Sequence, residues 1–138
     1  MKSEVHVTVT GEQRDPERPD GRAEVIRTEA DGLYGFVAGR HHVVYEEDGI
    51  KTHLTAGGNR LEIRRSGAAD VRMVIESGKS STVRYGTAEG NLAFDLRGGD
   101  VEILESGGTV AFRAAYSLMS GDTVISCNRT EILIEKKD

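Results

Sequence analysis

The sequence predicts an all-β fold: an antiparallel meander of about 8–10 strands closed into a barrel. Three observations predict it. The chain of 138 residues holds 31 Val, Ile and Thr against 8 Leu, a β-branched bias that favours strands over helices. It holds 17 Gly and only 2 Pro, and the glycines fall mostly between alternating segments at steps of roughly ten residues, as in a succession of hairpins. Apart from polar loops, no connection is long enough for a crossover helix of a dozen residues, so neighbouring strands should run antiparallel.

Each element follows from period-two alternation bounded by turn residues. Val5, Val7 and Val9 alternate with His6, Thr8 and Thr10, a half-buried first strand. Residues 11–21 hold both prolines, Pro16 and Pro19, among Glu, Asp and Arg, and read as a polar hairpin loop. A second strand alternates from Ala23 to Thr28, and Asp31-Gly32 signals a turn. Strands are expected over 33–38, 41–47 and 50–56, separated by Gly39-Arg40 and Asp48-Gly49. After Gly57-Gly58-Asn59 comes 60–65, closed by Ser66-Gly67, and residues 66–70 could form one helical turn at most. The same grammar gives 71–75, 81–85, 91–96, a turn at Gly98-Gly99, then 101–104, 109–118 and 123–135, with a break at Asn128-Arg129. Such a meander can be an open sheet, a sandwich or a barrel; closure into a barrel removes both sheet edges and is expected, with a sandwich as the alternative. The length suits one domain spanning residues 1–138, large enough to bury roughly two thirds of its unfolded surface.

Bulk properties exclude several functions. Net charge is −5, whereas phosphate backbones are bound by surplus positive charge, so nucleic acid is disfavoured as a partner. Thirteen of the 18 cationic side chains are Arg, whose planar fork suits carboxylate and phosphate better than lysine's point charge. The single cysteine, Cys127, permits neither an internal disulfide nor a multi-cysteine metal site, and its apolar surroundings predict a small buried thiol. The start of the chain lacks a signal-peptide apolar run and no window approaches a membrane span, so the expected location is cytoplasmic, without a membrane.

Candidate chemistry concentrates on a few polar side chains. Arg65 shares strand phase with Leu61 and Ile63, so it should point inward, where a cation must be paired or meet an anion. Arg72 opens the following strand and Arg113 lies between Phe112 and Ala114. Glu46, in phase with Val44 and His42, is the expected carboxylate partner, and Tyr45 points the other way. Tyr85 and Tyr116 follow apolar residues in phase and could line a cavity with Arg65. Adjacent His41 and His42 must face opposite sides, so a three-histidine metal site is disfavoured and no metal is expected. His42 and Glu46 lie about 7 Å apart along a strand, too far for a direct acid–base dyad. Arg60, Arg64 and Arg84 could stripe an outer face beside Glu62, but few aromatic residues are available to stack bases beside them. Gly57-Gly58-Asn59 and Gly98-Gly99-Asp100 lead into no helix, so they are not phosphate loops, and no cofactor is expected.

The ordered series Tyr45-Glu46, Thr52, Arg64-Arg65-Ser66-Gly67, Arg72-Met73, Gly78, Tyr85, Thr87, Gly90 and Tyr116 resembles the YwiB-like bacterial family, a domain of unknown function. The segment from Leu61 to Gly90 carries the most specific part, and the resemblance spans nearly the whole chain. Ile75 departs from the family's large aromatic residue there, and residues 15–22 form an extra-polar loop. The resemblance implies a calycin-like, lipocalin-like barrel and no particular activity. Three functional classes then compete. A non-catalytic barrel holding an anionic or partly apolar small molecule is expected first, with Arg65, Arg72, Tyr85, Arg113, Tyr116, Glu46 and His42 as ligand-binding candidates and no catalytic residue. A structural or protein-interaction barrel whose outside binds a second copy or a partner protein, with outward apolar residues such as Val37 and Val43 making a homodimer the expected form, is the alternative. An enzyme is expected least.

Overall fold

Short turns with left-handed backbone set the register. Between β2 (Glu24–Val37), β3 (Arg40–Glu47) and β4 (Ile50–Gly57), the pairs Ala38-Gly39 and Asp48-Gly49 hold φ of 53° and 77°, and 51° and 78°. Positive φ at both central residues is the two-residue hairpin geometry that matches strand twist. The computed structural model describes residues 2–18, 23–67 and 70–137, the side chain of Thr87 excepted. Residues 19–22 of the expected polar loop and residues 68–69 of the expected helical turn lie outside them.

Ten strands close the barrel. β1 (Ser3–Arg14) precedes β2, and β5 (Arg60–Ser66), β6 (Asp70–Glu76), β7 (Ser80–Thr87), β8 (Gly90–Ser106), β9 (Thr109–Ser120) and β10 (Thr123–Lys136) follow β4. The ring runs β1-β10-β9-β8-β7-β6-β5-β4-β3-β2, so every chain neighbour is a sheet neighbour and β10 returns to β1. All pairings are antiparallel. This is the all-β meander barrel that the sequence predicts.

Two expected turns are strand interiors instead. Asp31-Gly32 lies within β2, and Gly98-Gly99 within β8. The cause is close approach of neighbouring backbone. A Cβ at Gly32 would lie 2.6 Å from the Val44 carbonyl oxygen, and one at Gly98 would overlap that of Glu76. Past Gly98 the β8–β9 register skips to Val101, a bulge that bends β8. The break expected at Asn128-Arg129 is also absent, because β10 keeps its ladder there and bulges earlier, between Val124 and Ser126.

The core is built from one face of each strand. Val5, Val7, Val43, Leu54, Leu61, Ile75, Val83, Leu96, Phe112, Ile132 and Ile134 are buried, and β2 adds Ala30 and Tyr34 at its margin. Val43 is thus core rather than exterior, because β3 buries its odd-numbered residues. Cys127 corrects in the opposite sense: Ser126 and Asn128 take the buried phase of β10 and the thiol is exposed. All seven aromatic rings lie on inward-phase positions: Tyr34, Tyr45, Tyr85, Phe112 and Tyr116 in or against the core, Phe36 on the His41 ring, and Phe94 on Tyr85. Phe36 is nonetheless more than half exposed.

One seam is short. β6 and β7 pair only at Asp70–Gly86, Val71–Tyr85 and Arg72–Arg84. Beyond it the two strands separate, and β8 fills in: the Gly98 amide donates to the Lys79 carbonyl at 2.8 Å, and the Gly98 carbonyl accepts from the Gly78 amide at 3.2 Å. Ser77 and Ser81 add side-chain bonds, the Val101 amide to Ser77 Oγ and Ser81 Oγ to the Val74 carbonyl.

Candidate functional site

Strand phase sorts the candidate residues into two sets. Arg65, Tyr85 and Tyr116 occupy inward-phase positions at one end of the barrel. Arg65 stands opposite buried Thr52 on β4 and Val71 on β6, and Val71 stands opposite Tyr85 on β7. Arg65 is exposed at the lip, Tyr85 is half-buried and Tyr116 lies deeper. Burial pushes both phenols above the ordinary tyrosine range, and the Arg65 charge pulls both back toward it. The three groups therefore sense one another across the barrel end.

Arg72, Arg113, Glu46 and His42 lie on the outer wall. Arg72 Nε donates to Glu62 at 3.2 Å, and Arg113 Nε donates to Glu131 at 2.9 Å. Glu46 is exposed and faces away from the interior, so the expected Arg65–Glu46 pair does not form. The sequence-based phase was reversed on β3: His41, Val43 and Tyr45 are buried, while His42, Val44 and Glu46 point out. Arg65 has no carboxylate partner among the described residues.

An open groove of about 610 Å³ joins the lip to the outer wall. Lys51, Arg64, Arg65, Arg72, Arg84 and His53 line it, with Asp70 as its carboxylate. Cross-strand register explains this concentration. Arg64 stands directly opposite Arg72, and Arg72 directly opposite Arg84, giving three guanidinium side chains in one row across β5, β6 and β7. Like charges facing each other across strands are destabilising. For exposed side chains the penalty is at most about 1 kcal/mol per pair. One carboxylate offsets this in part: Glu62, 15% exposed, is 3.6 Å from Arg60, 3.4 Å from Arg64 and 3.2 Å from Arg72. Arg84 has no ion pair among the described residues. Residues 50–87 contain seven Lys and Arg against three Asp and Glu, a local balance of +4 in a chain of −5, so the remainder carries −9.

The sequence names Arg64 and Arg84 as a stripe but not their register with Arg72, which needs the pairing of three strands. Histidines show the same gap. His42 Nδ1 lies 3.3 Å from His53 Nε2, on the outer wall beside Arg64. At the opposite end, buried His41 is held between the Tyr34 hydroxyl, 2.7 Å from Nδ1, and Glu105, 2.9 Å from Nε2. Glu105 reaches it from β8, directly across the ring from β3, so this contact ties opposite walls. Adjacent histidines gave no sequence signal for either arrangement. Among the described residues, no three His, Cys, Asp or Glu side chains converge as a metal site would need.

Comparison with known proteins supplies the lineage. The family model described as "Domain of unknown function (DUF1934)" matches residues 7–132. The chain belongs to the DUF1934 family. The crystal structure of the ywiB protein from Bacillus subtilis is similar to this DUF1934 barrel with a TM-score of 0.84 at 20% identity, covering 99% of this chain and 94% of that one. At that identity the likeness is one of fold. No curated protein matches the chain. Among the described residues no helix is long and apolar enough to cross a membrane.

Electrostatics in the groove of this DUF1934 barrel makes a first prediction. His53 titrates below the ordinary histidine range because burial disfavours its charged form, and His42, Arg64 and Lys51 repel a further positive charge, with Glu62 opposing them. A histidine whose folded pKa is depressed stabilises the fold above its unfolded value of about 6.5 and loses that contribution as pH falls through the folded value. NMR titration of the imidazoles should place the His53 midpoint below 6.5, and His42→Asn should raise it. A His53 midpoint unchanged by that substitution would show that the two rings are not neighbours.

Proposed function

We propose that this barrel is a non-catalytic binding protein for a small anionic ligand, held at the lip where β5, β6 and β7 end. The observation that carries this reading is the unpaired Arg65. Of the three arginines picked from the sequence, Arg72 and Arg113 have carboxylate partners and Arg65 has none among the described residues. It opens onto a groove with four further Lys and Arg side chains. Tyr85 and Tyr116 stand inside the same end, and protonated phenols are donors suited to an anion. The ligand sits at the lip and outer wall, because the middle of the barrel is occupied by Phe112, Leu54, Leu61, Ile75 and Leu96, all fully buried. The expected setting is the cytoplasm, and no cofactor takes part.

Calorimetric titration at low ionic strength with orthophosphate, sulfate and citrate tests this. At least one should bind, weakening as salt is raised because exposed charges are screened. Arg65→Gln removes a charged fork and should weaken binding by about 10–100-fold, the worth of a charge-assisted pair. Failure of every anion to bind overturns the proposal.

The alternative is a structural barrel that pairs with a second copy. It draws on the exposed apolar side chains Val25, Ile26, Phe36 and Val37, each more than half exposed. It expects a dimer in sedimentation equilibrium and no heat on adding anions.

A further inference from the structure

We propose that the anion is an oligophosphate, a run of two or more linked phosphoryl groups laid across β5, β6 and β7 along Arg64, Arg72 and Arg84. This inference rests on the anion-binding reading above and names its ligand class. The arginine row is the observation that carries it. Neighbouring strands lie about 4.8 Å apart, so three residues in register place their backbones on a line of roughly 10 Å. A single carboxylate or orthophosphate can meet one or two of these forks. A chain of phosphoryl groups meets all three, and each guanidinium can take two oxygens.

The surroundings fit this occupant. Arg84 has no ion pair among the described residues, and Arg72 shares the carboxylate of Glu62 with Arg60 and Arg64. Glu62, two residues from Arg64 on the same face of β5, meets Arg64 and Arg72 at their Nε atoms, so the terminal N–H groups of both stay without a carboxylate among the described residues. Lys51 and His53 extend the positive wall on β4, and Asp70 at the lip is its one carboxylate. The groove's lining holds no Phe or Tyr, and its one ring is the His53 imidazole, so it lacks the series of stacking rings that single-stranded nucleic acid needs.

The row also crosses the weakest seam of the barrel. Arg72–Arg84 is the last pair of the short β6–β7 ladder, and it sets two like charges face to face. A phosphoryl chain between them replaces that repulsion with attraction on both sides. Binding should therefore protect this seam as well as occupy the groove.

The full-length protein is titrated calorimetrically at low salt with orthophosphate, pyrophosphate, tripolyphosphate and adenosine triphosphate, with citrate and an oligothymidylate as controls. Tripolyphosphate should bind at least about tenfold more tightly than orthophosphate, with a steeper salt dependence, since it displaces more counterions. Arg84→Gln should weaken tripolyphosphate by about tenfold and leave orthophosphate unchanged. Arg84 is exposed and unpaired, so its removal leaves the fold intact, which an unchanged melting temperature checks. Hydrogen exchange of the amides in residues 70–72 and 84–86 should slow with tripolyphosphate and not with orthophosphate. Equal affinity for adenosine triphosphate and tripolyphosphate shows that the free chain is read. Tighter binding of the nucleotide shows that the chain is recognised as a nucleotide tail. Equal affinity for orthophosphate and tripolyphosphate, with Arg84→Gln silent, overturns the oligophosphate and leaves the anion site standing. Citrate equal to tripolyphosphate, or the oligothymidylate tighter than both, overturns it likewise. If no anion binds, the underlying reading fails too.

Discussion

Alanine at position 98 is expected to destabilise the barrel by about 3–5 kcal/mol. The added Cβ would overlap the Glu76 carbonyl oxygen and lie 2.9 Å from its carbon and 3.1 Å from the Glu76 nitrogen. All three are backbone atoms, so no side-chain rotation relieves the clash. β6 and β8 must part, and the structure holds them together here by the Gly98 amide on Lys79 and the Gly78 amide on Gly98. Overpacking costs about 1–3 kcal/mol, and two weakened backbone bonds add about 0.5–1.5 kcal/mol each. A urea denaturation midpoint lowered by roughly 2 M would report this, given slopes of about 1–3 kcal/mol/M. Gly11→Ala is the control. A Cβ there meets nothing closer than 3.9 Å, from the Ile26 carbonyl oxygen, so that variant should be neutral or slightly stabilised. If the two alanine variants denature together, β6 and β8 do not approach as closely as this at Gly98.

Gly98 also shows where the sequence stops being legible. The closed meander could be read because turn glycines and period-two alternation are local signals. Gly32 and Gly98 look the same in sequence as turn glycines, yet each answers to backbone on another strand, Val44 on the neighbouring β3 and Glu76 on β6, which pairing in space and not local sequence brings close. The site divides along the same line. Arg65 reads correctly as inward because Leu61 and Ile63 flank it on a regular strand. Arg72 and Arg113 take no phase from the sequence because a cation beside an apolar residue has none of its own, and Glu62 and Glu131, which pair with them on the outer wall, come from other strands. On β3 every second residue is apolar or aromatic-like on both faces, with Val43 beside Val44 and His41 beside His42, so alternation alone could not choose the buried set. The arginine row is the extreme case: its members belong to three strands, and a net charge of −5 hides a sector of +4.

Phe112→Ala is the second large effect, and it bears on where a ligand can sit. Phe112 is fully buried on β9, opposite Ile132 on β10 and Ile103 on β8, with its ring 5.6 Å from that of His41. Truncation removes the aromatic ring's transfer energy and leaves a cavity that a closed ladder on both sides cannot collapse to fill. The expected loss is about 3–5 kcal/mol. For a chain of this length that lowers the melting temperature by about 10 °C or more in calorimetry. An apolar cavity of this kind stays dry and takes up small apolar guests. Benzene or xenon should therefore raise the melting temperature of Phe112→Ala and leave the native protein unaffected. Tripolyphosphate should bind both proteins alike, because Phe112 lies inside on β9 and the arginine row lies outside on β5, β6 and β7. A native protein stabilised by benzene would instead place a receptive space inside the barrel and return the ligand to the interior.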